Sequence, residues 1–310
     1  MTVAVLDLGT NTFHLLIVKH DADGTRILHK SKAAVKLGEG GITSGAIAEI
    51  PFRRGLSAIK RFHEIIIRHS PEKIVALGTA AIRNASNSDA FLKSIEAASG
   101  IQVQIIDGMK EASLIYLGVK QAIAMGAGKS LIMDIGGGSV EFIIADADQV
   151  YWKHSFELGA ALLLEQFSLS DPLAREELDA IQQHLENKLQ PLLEAAAIFK
   201  PATLIGSSGS FDTFAEMIAY RFYKPGILKN KTSYDFKMED YRAIHDQLIF
   251  STTEERKKMK GLIAMRVDMI VIAAIILTFV LDKLKIKDMR LSTYALKEGA
   301  LWKILNNQPI

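Results

Sequence analysis

Residues 3–17 read VAVLDLGTNTFHLLI, and residues 130–144 read SLIMDIGGGSVEFII. Shifted by 127 positions, the two stretches align without a gap: Asp7 falls on Asp134, Gly9 on Gly136, Thr12 on Ser139 and Leu16 on Ile143. Each is an apolar run that ends in an aspartate, turns through glycine and small polar residues, and resumes as an apolar run. One such turn is weak evidence, because Asp and Gly populate any tight turn. Two, each at the head of a similar half, point to a duplicated unit whose turns face one cleft. Consecutive glycines cost backbone entropy on folding. Their presence asks for something that must come close to the backbone.

The rest of the chain fits an α/β architecture. GTRILHKSKAAVKLG reads as one or two strands entered by a hairpin turn at Asp23-Gly24. Ile50, Leu56, Ile59, Phe62 and Ile66 recur at helical spacing. KIVALGT reads as a strand, SDAFLKSIEAASG as a helix stopped by Gly100, IQVQIID as a strand and EASLIYLGVKQAIAM as a helix. The GAG at 126–128 reads as a hinge. It divides the chain into domains 1–125 and 126–310, with ligand expected between them. The second half is expected to be mainly helical after its opening strands, broken by strands ATLIG and DMRLST. Its last helix is expected to pack back on the first domain.

Composition excludes several chemistries. There is no cysteine, hence no disulfide, thiolate metal site or cysteine nucleophile. Residues 262–281 are apolar enough to suggest a membrane span. Arg266 and Asp268 interrupt them, however, and leave only 269–281 free of charge, against the roughly 20 residues a span needs. A buried helix is the better reading. The N-terminus carries no basic, cleavable leader pattern. These features give a cytoplasmic expectation with no membrane and no nucleic-acid partner; a homodimer is left open. Net charge is only +2. Residues 221–260 hold ten Lys or Arg against six Asp or Glu, a surplus of +4. A solvated helical face explains it more simply than a landing surface for a polyanion.

The turns suggest phosphate chemistry. Small residues let successive backbone N–H groups point inward, where they bind phosphate oxygens. The Thr12 and Ser139 hydroxyls can add donors. Asp7 and Asp134, at strand ends, can hold a magnesium ion directly or through its waters. A third turn, IGSSGSFDTF at 205–214, follows a strand and opens a helix, a position that favours an anion.

Five stretches then occur in order: DLGTNTFHLLIV, LGTAAIRNASN, KEASLIYLGV, MDIGGGSVEFII and IGSSGSFDTF. Together they resemble the exopolyphosphatase/guanosine pentaphosphate phosphohydrolase (Ppx/GppA) family over about residues 3–305. The resemblance implies duplicated actin-like ATPase (ribonuclease H-like) domains around an interdomain cleft. It implies release of the terminal phosphate from inorganic polyphosphate or guanosine pentaphosphate, pppGpp, with Mg2+ or Mn2+. By position, Glu111 matches the family's catalytic glutamate and Arg83 its phosphate-binding arginine. Asp134 and Glu141 match its metal- or water-positioning carboxylates. Asn11, Thr12, Gly136, Gly137, Gly138, Ser139, Gly206, Ser208 and Gly209 fall in its phosphate-binding loops. His14 sits opposite Glu141 in the echo and is given no catalytic part.

The chain departs from the family pattern at Lys110, Ser113, Leu162, Thr293 and Lys297. These departures leave open which polyanion is preferred. The sequence stops where longer members continue into a helical domain that grips long polymers, so long-chain processivity is not expected. Two other classes stay in view. One is an actin-fold kinase that passes phosphate from ATP to an acceptor. The other is a non-catalytic sensor that closes on pppGpp or ppGpp.

Overall fold

Strand β1 (Thr2–Leu8) runs into the first turn and returns as β2 (Thr12–Asp21), followed by β3 (Gly24–Ala34). Strands β4 (Lys73–Gly78) and β5 (Val103–Ile105) complete a sheet of order β3-β2-β1-β4-β5. The second echo segment repeats the plan with β6 (Ser130–Ile135), β7 (Val140–Ala145) and β8 (Val150–Phe156). Strands β9 (Thr203–Ser207), β10 (Ser233–Phe236) and β11 (Asp288–Ser292) extend it to the order β10-β11-β9-β6-β7-β8. In both sheets three antiparallel strands are followed by two parallel ones. Parallel neighbours require crossovers, and helices supply them. This computed structural model, which describes all 310 residues, is a duplicated actin-like ATPase fold.

The echo is a register equivalence as well as a sequence one. Asp7 pairs across to His14 in the first hairpin, and Asp134 pairs across to Glu141 in the second. Each turn is closed by the same backbone bond: Gly9 N donates to Thr12 O at 3.2 Å, and Gly136 N to Ser139 O at 3.0 Å. A β-carbon on Gly9 or Gly136 would stand about 3 Å from those same carbonyl oxygens. Both turns therefore need glycine at the closing position.

Two helices lie between the sheets, Gly108–Ala122 and Leu296–Leu305. Their apolar residues join Val3 and Val5 of β1 and Ile132 and Ile143 of the second sheet in one core. The helices cross at contact distance because Gly118 and Gly299 face each other. A β-carbon on Gly118 would sit 2.0 Å from the Ala295 oxygen, and one on Gly299 would sit 1.8 Å from the Leu114 oxygen. The last helix thus packs on β1 and on the helix that carries Glu111.

The apolar stretch near 270 forms the helix Ile270–Leu284, in which every residue from Ile270 to Leu281 is buried. It sits in the larger core of the second sheet. No helix is long and apolar enough to cross a membrane. Three expectations need correction. IQVQIID keeps only Val103–Ile105 as strand. Ile50 is 70% exposed, because it stands in the first turn of helix Glu49–His69, ahead of the buried stripe that begins at Pro51. Strand β10 was not foreseen. It is a four-residue edge strand paired only to β11, too short to show a period of its own.

Candidate active site

The two hairpin turns meet. A β-carbon on Gly137 would lie 2.3 Å from the Asn11 amide nitrogen, and one on Gly138 would lie 3.0 Å from the Thr10 hydroxyl. Between and beside them runs a cleft of about 360 Å³. It is lined by Asp7, Asn11 and Thr12 of the first turn and by Asp134, Gly136, Gly137, Gly138 and Ser139 of the second, with Glu111, Ser208 and Gly209.

Hydrogen bonds behind each turn decide which way its peptide groups face. The carbonyls of Gly136, Gly137 and Gly138 accept from the backbone N–H groups of Ala160, Ala161 and Leu162, and Gly159. In a trans peptide the N–H points opposite its carbonyl. The N–H groups of Gly137, Gly138 and Ser139 therefore turn away from the 159–162 segment. Gly159 lets that segment approach, since a β-carbon there would be 2.3 Å from the Gly137 backbone. The first turn uses the same device: the Thr10 carbonyl accepts from Leu37 N, and the Asn11 carbonyl from Val35 N and Lys36 N. Each turn presents a short row of donors, the arrangement that cradles anionic oxygens.

Glu111 stands in the first turn of its helix, which is capped by Asp107 accepting from Lys110 N at 2.7 Å. It is 8% exposed and lines the cleft. Arg83 Nη1 donates to Glu111 Oε2 at 3.2 Å and to the Ile106 carbonyl at 2.8 Å. Arg83 is thus paired with Glu111, and it is not among the residues that line the cleft. Glu141 is buried, and its Oε1 accepts from Ser155 Oγ at 2.7 Å. Gly108 makes room for this, because Ser155 fills the space where its side chain would be. Asp134 accepts from Ser207 Oγ at 2.7 Å and Ser208 Oγ at 2.6 Å. Ser208 reaches it with a left-handed backbone, φ 68°, an unfavourable conformation for a side chain and one that clusters at functional sites. Gly206 does not reach the cleft. The Phe211 ring occupies the space beside it, so that glycine serves packing in β9.

Four carboxylates share this buried region, and they disturb one another. Burial pushes Asp7 up to about 7, with Asp134 adding to the shift and Lys297 opposing it. Burial and then the Asp134 charge push Glu141 up to about 7. Glu111 is raised well above the usual range by burial and then by Glu141, against the pull of Arg83. Asp134 is also raised by burial, although the two serine hydroxyls and Lys297 oppose it. Asp7, Glu111 and Asp134 line the cleft, whereas Glu141 is buried and does not; acids held above their ordinary values so close together favour a cation among them.

Sequence reasoning missed the basic side of the cleft. Lys30, Lys32, Arg266 and Lys297 all line it, with His14 and Asp212. Lys297 is 8% exposed, and its Nζ lies 3.2 Å from Glu298 Oε1. Burial works against its charge, but Glu298 and Asp7 raise its pKa above the ordinary lysine value. Arg266 lies against the turn, its guanidinium filling the space beside Gly209. Burial lowers the His14 pKa, and Lys297 and Lys32 lower it further, which keeps the ring neutral. The alternation HKSK at 29–32, two lysines two apart on a strand, was the signal available. Of the departures, Ser113 accepts from Lys153, and Leu162 contributes its N–H to the turn and its side chain to a small side pocket.

A sequence model of the Ppx/GppA phosphatase family matches residues 16–308. The chain is 39% identical to an exopolyphosphatase from Cytophaga hutchinsonii, whose crystal structure superposes with a TM-score of 0.97 over 100% of this chain and 99% of that one. A Ppx/GppA protein from Aquifex aeolicus, 24% identical, shares the fold with a TM-score of 0.81 over 100% of this chain and 99% of its own. The guanosine-5'-triphosphate,3'-diphosphate pyrophosphatase of Photobacterium profundum is 29% identical over 303 residues, which cover 98% of this chain and 59% of that protein. The chain therefore spans under two thirds of that relative's length. Two converging donor turns, a buried glutamate lining the same cleft and a family match over nearly the whole chain agree: the chain belongs to the Ppx/GppA phosphatase family, the phosphate-releasing hydrolases that its sequence resembles.

Proposed function

We propose that the chain releases the terminal phosphate of inorganic polyphosphate, or the 5'-terminal phosphate of pppGpp, by attack of a water at that phosphorus. The observation that carries this reading is the meeting of the Gly9–Thr12 and Gly136–Ser139 turns beside Glu111. Phosphoryl transfer asks mainly for positioning and for stabilisation of charge on the transferring group. The turn N–H groups and the Thr12 and Ser139 hydroxyls supply donors. Glu111 takes the proton from the attacking water, and Arg83 fixes its orientation through their ion pair. Glu141, held by Ser155, helps place the water.

Magnesium fits the donor set. The carboxylates offer oxygen only, the ligand this hard cation prefers. No three Asp, Glu or His side chains converge as a ready-made cage. Magnesium does not need one, since it binds through one or two carboxylates, substrate phosphates and its own waters. Asp7 and Asp134 would hold it, and bound there it would neutralise charge on the phosphoryl oxygens. Manganese would serve in the same place.

Phosphate release is measured from tripolyphosphate, long-chain polyphosphate and pppGpp side by side. Release from at least one of them is expected, with loss of more than about 90% of the rate on chelation and recovery with added Mg2+. Magnesium is also expected to raise the melting temperature, since a ligand of the native state stabilises it. Absence of release from all three overturns the reading. Transfer of phosphate from ATP to an added acceptor would point to the kinase class instead.

A further inference from the structure

The cleft has two unlike ends, and the strand order sets them apart. In the first sheet β3 is one edge, β1 lies in the middle, and β5 at the other edge leads into the helix of Glu111. Across the middle, Asp7 pairs with His14 and His14 pairs with Lys32. Paired residues share a face, so these three side chains form one row along the cleft side of the sheet. Lys30, two residues from Lys32, is on the same face. Adjacent strands lie about 4.8 Å apart, which puts Lys32 roughly 10 Å from Asp7 on the side away from Glu111.

Arg266 and Lys297 line the same part of the cleft. Lys30 and Lys297 share one carboxylate, Glu298, at 4.0 and 3.2 Å. Neither Lys32 nor Arg266 makes an ion pair within 4 Å. Asp212 is the acid that bears on both. Glu298 and Asp212 are the acids on this side of the cleft, while Asp7 and Asp134 of the turns also bear on Lys297 and Arg266; Lys30 and Lys32 stand farther out, beside a site that takes an anion. Lysines on a strand face are usually solvated one by one. These, though exposed, repel one another and a half-buried arginine: Lys32 is lowered first by burial, then by Arg266, with Asp212 opposing and Lys30 and Lys297 adding to it. An anion in their midst relieves that repulsion.

We propose that Lys30 and Lys32, together with Arg266 and Lys297, form a cationic subsite for the phosphates that follow the scissile anhydride. The substrate then lies with its terminal phosphate toward Glu111 and its remaining phosphates toward β3. This inference rests on the reading of the cleft as a terminal phosphohydrolase site. Lys30 and Lys32 are the residues that make affinity depend on the number of phosphates beyond the bond that breaks. A polyphosphate chain would use both lysines, whereas tripolyphosphate would reach them less.

The test compares the native chain with K30Q/K32Q and K30R/K32R. Two quantities are read: KM and kcat on tripolyphosphate, long-chain polyphosphate and pppGpp, and binding of long-chain polyphosphate with chelator present so that nothing turns over. Expected for K30Q/K32Q is a rise of about 10-fold in KM and dissociation constant for the long chain, a smaller rise for tripolyphosphate, and a loss concentrated in KM. Its binding should also weaken less steeply with salt, because fewer charges are screened. K30R/K32R should restore binding. A larger effect on pppGpp than on the long chain would assign the subsite to the guanosine-bearing substrate. Binding by K30Q/K32Q within about 2-fold of the native chain at low and high salt overturns the subsite. If the native chain releases no phosphate from any substrate, the hydrolase reading falls, while the binding comparison still decides on the lysines.

Discussion

Glu111→Gln is expected to release phosphate about 100-fold more slowly than the native chain, or slower still, and to keep its affinity for polyphosphate. The substitution removes the proton acceptor and little else. Glutamine has the same shape, and its carbonyl can still accept from Arg83, whose Nη1 now lies 3.2 Å from the carboxylate. The half-buried arginine therefore keeps a partner here, and it keeps the Ile106 carbonyl as well. In the proposed mode, binding would rest on the turn N–H groups and the basic side of the cleft, neither of which contains Glu111. Single-turnover phosphate release, read beside displacement of a labelled polyphosphate, separates the two quantities. A rate within about 3-fold of native would remove Glu111 from the proton-transfer role.

Gly299→Ala is expected to have the largest effect on stability, a loss of about 2–3 kcal/mol. Propensity alone favours alanine inside a helix by about 1 kcal/mol. At this position the new β-carbon would stand 1.8 Å from the Leu114 oxygen and 3.0 Å from Gly118 N. Two backbones would have to separate, and the core between the sheets would open with them. A chain of this size should melt roughly 3–5 °C lower. Gly128→Ala is the matched control, since no atom lies within 4 Å of its added carbon. Equal melting temperatures for Gly299→Ala and the native chain would mean that the helix crossing yields more easily than its geometry implies.

The parts of the fold that could be read from sequence are those whose cause is local. The hairpin equivalence was legible because both turns need the same glycine, closed by the same bond, at the same place in the echo. The helix end at Gly100 was legible because a left-handed cap, φ 67° here, favours glycine. The core helix at 270–284 was legible because charges at 266 and 268 bound its apolar run.

What was not legible depends on tertiary neighbours. Arg83 matched a phosphate-binding position in pattern, and the structure pairs it with Glu111 and the Ile106 carbonyl, partners that no local pattern could show. Gly206 looked like a loop residue, but the Phe211 ring leaves no room for a side chain beside it. Lys297 was only a departure from a pattern until the last helix, packing back on β1, carried it to Asp7. Arg266 was read as a charge interrupting an apolar run, whereas its guanidinium lies against the third turn. Arg83, Lys297 and Arg266 are set by residues far away in the chain, and Gly206 by the ring of Phe211 in the next helix; a periodic pattern records neither.

The most direct measurement is a crystal structure of Glu111→Gln with Mg2+ and an uncleaved polyphosphate. The expected density has the terminal phosphate between the Gly9–Thr12 and Gly136–Ser139 turns, its phosphorus facing residue 111 and the following phosphates running toward Lys30 and Lys32. A chain bound elsewhere, or one lying in the cleft with its end at the lysines and its interior against residue 111, would contradict it.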